Sequence, residues 1–159
     1  MTEQTLTDYL NHVAAKRPVP GGGSVAAYAA SLGASLAEKV AAYSHHPGAP
    51  TARRRAAALR RELARLAEAD ARSYAAVVRA LKWRRGLATA LQGATRVPVR
   101  VVQLAAEAQR LAQSLARYGN RQLRSDAWCA AHLAAAGGRA AAAIAKANRR
   151  HIRALRSAR

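Results

Sequence analysis

Apolar residues return every three or four positions along nearly the whole chain, the spacing of helices that each bury one face. Leu6, Leu10 and Val13 share a face of a short first helix, expected over residues 5–17 and ended by Pro18 and Pro20. A second helix, over 24–44, carries Ala27, Ser31, Ala34 and Ser35 with Gly33 beside them, a face small enough for another backbone to approach closely. His45, His46, Pro47 and Gly48 then break the chain. Thr51 is the expected cap of a long third helix whose stripe is Leu59, Leu63, Leu66, Tyr74, Val77, Val78 and Leu81. Gly86 and Gly93 punctuate a weaker helix, and Pro98 suits the first turn of the next, which runs to Tyr118 and stops at Gly119 and Asn120. An alanine-rich stretch over 127–147 follows, interrupted only by Gly137 and Gly138. No strand alternation and no hairpin signal appears. The pattern predicts one all-α domain over residues 1–159, a bundle of about five to seven helices.

Composition sharpens that picture. Hydrophobic residues make up 51% of the 159, but aromatics only 4%, so the core must be built from Ala, Leu and Val. Helices this poor in large side chains bury little area each, which predicts a homodimer that completes the core through the small face of the second helix. No run reaches the roughly 18 apolar residues of a membrane span, and no basic-then-apolar leader pattern opens the chain. The single cysteine, Cys129, excludes an internal disulfide and fits a reducing cytoplasm. Twenty-seven Lys and Arg face 8 Asp and Glu, a net charge of +19. Such a field attracts polyanions, although a high-GC genome that favours Arg and Ala alike produces the same balance.

Candidate chemistry is sparse. Gly21, Gly22, Gly23 and Ser24 run into the second helix, where glycine backbone donors and the positive end of the helix dipole suit an anion; an ordinary cap at Ser24 explains the same residues. Glu62 and Glu68 lie among arginines and read as surface ion pairs. Asp70 sits near the apolar stripe of the long helix, and Asp is a poor helix-interior residue, so something local must favour it. Asp126 follows Ser125 just after the Gly119–Asn120 break, where it can face the dipole of the last helix or carry chemistry. His45 and His46 are adjacent, no other Cys or His gives a ligand spacing, and no metal is expected. Arg53, Arg54 and Arg55, with Arg60 and Arg61, oppose the dipole of the third helix and need an anionic partner.

Pro18-Val19-Pro20-Gly21-Gly22-Gly23-Ser24, the Asp70-centred helix, Val97-Pro98, then Gly119-Asn120 followed by Ser125-Asp126, and Asn148 near the end, occur in an order that resembles the formimidoyltetrahydrofolate cyclodeaminase / methenyltetrahydrofolate cyclohydrolase family over nearly the whole chain. It departs from the family pattern at Ser44-His45-His46-Pro47-Gly48, at Leu81-Lys82-Trp83-Arg84-Arg85 and at Lys39. The resemblance implies a helical fold, usually dimeric, that handles a one-carbon unit on a tetrahydrofolate derivative without a metal. It implies Gly21, Gly22, Gly23 and Ser24 lining the substrate cleft, Ser125 also binding substrate, Asp126 with Asn120 near the reacting carbon, and Asp70 facing the same site.

The implied reactions are hydrolysis of the methenyl bridge, the leading expectation, or closure onto a formimino carbon with loss of ammonia. Both pass through a tetrahedral carbon and need proton transfer, which tuned carboxylates supply. Asp126 and Asp70 are the candidate carboxylates, with a nearby arginine expected to hold Asp126 ionised. Folate ends in one or several glutamates, which gives a basic cleft a purpose. Two other readings remain: the scaffold turned to another amidine or cyclic substrate, or a non-enzymatic basic helical protein that binds nucleic acid. The enzyme readings require Asp70 and Asp126 to converge on the glycine loop.

Overall fold

A computed structural model describes residues 5–157. Among them are five α-helices and one 3₁₀ turn, in the order α1 (Leu6–Ala14), α2 (Gly22–Ala42), α3 (Ala49–Lys82), α4 (Leu87–Tyr118), the turn Arg121–Leu123, and α5 (Arg124–Ser157). The all-α expectation holds, at the lower end of the expected helix count.

The boundaries follow from local chemistry. α1 begins in a capping box: Thr5 Oγ1 accepts from the Asp8 backbone N–H, and the Asp8 carboxylate accepts from that of Thr5. The chain turns extended at Ala15, earlier than the prolines alone required. α2 starts at Gly22 rather than Ser24, with Gly21 as its cap, a residue with no side chain to satisfy the first N–H groups. α3 is capped by Gly48, so Thr51 lies inside the first turns and accepts from Arg54.

Pro98 departs most from expectation. It does not open a helix; α4 runs straight through it, and the ring is fully buried. A proline inside a helix forfeits one backbone bond and costs about 3 kcal/mol. Leu91, Ala94, Val101, Leu104 and Ala105 lie on the same buried face and keep both halves packed on the bundle. The turn before α4 holds Arg84 at φ 50° and Gly86 at φ 69°, two left-handed residues that reverse the chain in a few steps.

α2 is the central element. Its small face is already covered within the chain. A β-carbon at Gly33 would lie 2.6 Å from the Ala130 carbonyl oxygen, and one at Gly137 would lie 2.5 Å from that of Ala26. Contacts that rise along α2 as they fall along α5 make the two helices antiparallel, with backbones nearly touching. Ala27, Ala30, Ser31 and Ala34 are buried there, and Ser31 Oγ donates to the Arg60 carbonyl. The small face of α2 therefore packs intramolecularly and is not free for a dimer. α3 and α4 close the bundle through Leu59, Leu63, Val101 and Leu104.

Ion pairs tie the helices at the rim. Arg60 reaches Glu38 at 2.7 Å, Arg55 reaches Glu107 at 2.6 Å, and Arg100 reaches Glu62 at 2.7 Å. Of the arginines early in α3, Arg55 thus finds an anionic partner on α4 and Arg60 one on α2. Glu62 and Glu68 are surface pairs as expected, the latter with Arg72.

Candidate active site

The seven described acids separate cleanly by what they touch. Asp8 caps α1, and Glu38, Glu62, Glu68, Glu107 and Asp126 each meet a cation. Asp70 alone among them has neither role. In a chain with net charge +19, one half-buried carboxylate without a cation is the site's most informative feature.

Its surroundings explain why an Asp stands in mid-helix. Asp70 projects from α3 across the first turn of α2, so close to Gly23 that a β-carbon there would overlap the carboxylate. The backbone N–H of Ser24 faces it and favours the charged form, as does the positive end of α2. Burial acts in the opposite sense and dominates, so the Asp70 carboxyl is held above the ordinary value of 3.8. A carboxylate moved toward neutrality with a donor at hand can both take and return a proton.

A cavity of about 260 Å³ opens beside it. Pro18, Val19, Gly21 and Gly22 form one wall, Asp70, Ser73 and Tyr74 of α3 a second, and Ala94 of α4 with Ile144 and Asn148 of α5 the remainder. Without side chains, Gly21 and Gly22 let a ligand approach the α2 N-terminus closely. Larger hollows exist: a groove of about 520 Å³ between α1 and α2, and a cavity of about 490 Å³ where α3 and α5 end and α4 begins. Neither is lined by an unpaired carboxylate.

A family model described as formiminotransferase-cyclodeaminase matches residues 5–158. The chain belongs to the formiminotransferase-cyclodeaminase family. Formimidoyltransferase-cyclodeaminases of Mus musculus and Rattus norvegicus are 30% and 31% identical to it over 82% and 81% of the chain. The chain matches 28% of the length of each of these curated relatives. The crystal structure of formiminotetrahydrofolate cyclodeaminase from Thermotoga maritima superposes with a TM-score of 0.88 at 27% identity, covering 94% of this chain and 80% of that one.

Within this family fold, the residues singled out from the sequence fall into two groups. Gly21, Gly22 and Asp70 line one cavity, with Gly23 beneath the carboxylate. Ser24 turns away: its hydroxyl is buried and paired with Tyr9 at 3.1 Å, on the far side of the loop. Asn120, Ser125 and Asp126 stand at the opposite end of α2. Asp126 pairs with Lys39 at 2.8 Å, where an arginine was expected. Lys39 lies 17 residues beyond Gly22, roughly 25 Å along the helix. Asp126 and Asp70 therefore do not converge within one chain, because a straight 21-residue helix holds them apart.

Asn120 is occupied by its corner. Its amide donates to the Tyr43 carbonyl and accepts from Gln122 N–H, while its backbone N–H donates to Ser44 Oγ at 2.9 Å. Gly119 leaves no room for a β-carbon beside Ser44 and the Leu115 carbonyl. Ser125 is exposed. Ser73 was not singled out and Tyr74 was read only as part of the apolar stripe, yet they lie three and four positions after Asp70, on its helix face. That spacing was a usable signal. Ala94 and Ile144 carried none. Among the described residues, no group of three or more His, Cys, Asp and Glu side chains is placed to hold a metal, and no helix is long and apolar enough to cross a membrane.

Proposed function

We propose that this chain closes and deaminates a formimino group carried on tetrahydrofolate, with Asp70 moving the proton. The unpaired, half-buried Asp70 carboxylate over the N-terminus of α2 carries the reading. The names of the relatives favour deamination over the hydrolysis expected first from the sequence. In this reaction N10 attacks the formimino carbon on N5 and a tetrahedral centre forms. Asp70 accepts the N10 proton and returns it to the exocyclic nitrogen. The C–N bond to that nitrogen then breaks, ammonia leaves, and the carbon bridges N5 and N10. One group serving first as base and then as acid needs a carboxyl drawn toward neutral pH, and burial supplies that.

Hydrolysis of the bridge uses the same centre with water as nucleophile, so both substrates belong in the test. Purified protein incubated with 5-formiminotetrahydrofolate should generate the near-ultraviolet absorbance of the methenyl bridge. With methenyltetrahydrofolate, loss of that absorbance reports hydrolysis. No change with either sinks the reading and favours the basic binding protein.

We further infer a cytoplasmic dimer that docks through α1 and the outer face of α2, not the small face first expected. Leu6, Leu10 and Leu32 are 70%, 57% and 57% exposed beside Val25 and Tyr28, around the 520 Å³ groove. An apolar patch of this kind marks an interface. Light scattering should give twice the chain mass, and Leu32→Arg should give the monomer.

A further inference from the structure

The Asp70 cavity has a neighbour on the same three helices. Tyr74 on α3, Ala94 on α4 and Asn148 on α5 line the first; Leu81, Leu87 and Leu155 line the second, whose volume is about 490 Å³. On every helix the two lining residues are seven positions apart. Seven residues are two turns, so each helix presents both to one side, with the two cavities roughly 10 Å apart. Val77, Leu91, Ala94 and Ile152 form the apolar cluster between them. Val78, partly exposed, lies between Tyr74 and Leu81 on the α3 face.

The second cavity differs sharply in charge. Arg84 and Arg156 line it, and neither takes part in any ion pair of the described residues. Residues 71–106 and 127–159 contain no Asp or Glu, so no acid from the segments that build this end of the bundle can neutralise them. The remaining walls are aliphatic. A hollow of small-molecule size with apolar sides and two unpaired guanidiniums suits a flat apolar group that ends in carboxylates.

We propose that this second cavity binds the carboxylate end of the substrate whose one-carbon centre sits at Asp70. The proposal rests on the folate reading. In tetrahydrofolate a p-aminobenzoyl spacer separates N10 from the glutamate carboxylates, a span of roughly 10 Å from standard bond lengths. That matches the two-turn step between the cavities. The aromatic spacer crosses the strip from Tyr74 past Val78 to Leu81, and Arg84 and Arg156 take the carboxylates by charge-assisted hydrogen bonds. Binding energy gathered here is remote from the reacting carbon, so it acts on substrate capture.

The test separates this subsite from the chemistry. In steady-state assays, Arg84→Ser with Arg156→Ser should raise KM on the order of 10- to 100-fold at little change in kcat. Arg84→Lys with Arg156→Lys should recover part of that loss, and Arg117→Ser, at the other end of α4, should leave KM unmoved. A second arm needs no turnover: calorimetric titration with p-aminobenzoyl-glutamate should show binding by the parent and by Asp70→Asn, weakening with salt and abolished in the double serine variant. If the fragment binds in this way while no folate is turned over, the folate chemistry fails and the subsite stands. If folate is turned over but the folded double serine variant keeps the parent KM and fragment affinity, the subsite is overturned.

Discussion

A β-carbon on Gly23 would stand inside the carboxylate of Asp70. The two residues come from different helices, and the absence of one side chain makes room for the other. Gly23 is also a second-position helix residue, where alanine would ordinarily add about 1 kcal/mol of stability. Gly23→Ala should therefore fold, retain its helix content by circular dichroism, and lose turnover because Asp70 is pushed off its position. Turnover at the parent rate would show that the carboxylate has no required position.

Asp70 and Asp126 should respond differently to the same isosteric change. Asp70→Asn keeps the shape and removes the proton acceptor, so turnover should fall roughly 100- to 10,000-fold. Asp126→Asn removes an exposed ion pair with Lys39, which is worth at most about 1 kcal/mol. We expect it to stay within about threefold of the parent rate. A loss as deep as that of Asp70→Asn would require Asp126 to reach the site from a second subunit, and mixing the two inactive variants would then restore activity.

The pH dependence of activity follows from the same group. In the proposed reaction Asp70 acts first as a base, so kcat/KM should climb with pH through its titration. Because burial raises the carboxyl, the midpoint of that acid limb should lie above 3.8. A limb centred at or below that value would contradict the burial argument.

Stability should move the other way. A carboxyl whose folded pKa exceeds its unfolded one binds more protons when folded between the two values, so stability falls as pH rises through that window and is level above it. Asn cannot ionise. Asp70→Asn should therefore match the parent in melting temperature near pH 3.5 and exceed it near pH 7, while turnover is lost. Equal melting temperatures at both pH values would remove the desolvation account.

The helices were legible in the sequence because their apolar positions repeat at one period, and Asp70 stood out because mid-helix Asp needs a reason. Other features could not be read locally. Pro98 looks like a helix start in any short window, and only the buried face on both sides of it shows that packing overrides the lost hydrogen bond. The glycine loop and Asp126 both resemble family signatures, but chain order says nothing of the roughly 25 Å that α2 puts between them. The small face of α2 was identified correctly as a close-packing surface. Its partner is α5 of the same chain, a choice that depends on where Gly137 falls on a helix more than a hundred residues later.

That close packing gives opposite outcomes for two glycine-to-alanine changes. Gly137 lies where α5 crosses α2, and a β-carbon there would stand 2.5 Å from the Ala26 carbonyl oxygen and 2.8 Å from the Ala30 nitrogen. Both are backbone atoms of a buried helix and cannot turn aside. Gly137→Ala should separate the helices and destabilise the fold by about 1–3 kcal/mol, the range for overpacking a core. Gly93 is also a helix-interior glycine, on α4, but nothing lies within 4 Å of its would-be β-carbon. Gly93→Ala loses no contact and restricts the unfolded chain, so it should stabilise by about 0.5–1 kcal/mol. Chemical denaturation of the two variants beside the parent decides the matter. If both change stability in the same direction, the crossing of α2 and α5 is not as tight as the Gly137 geometry requires.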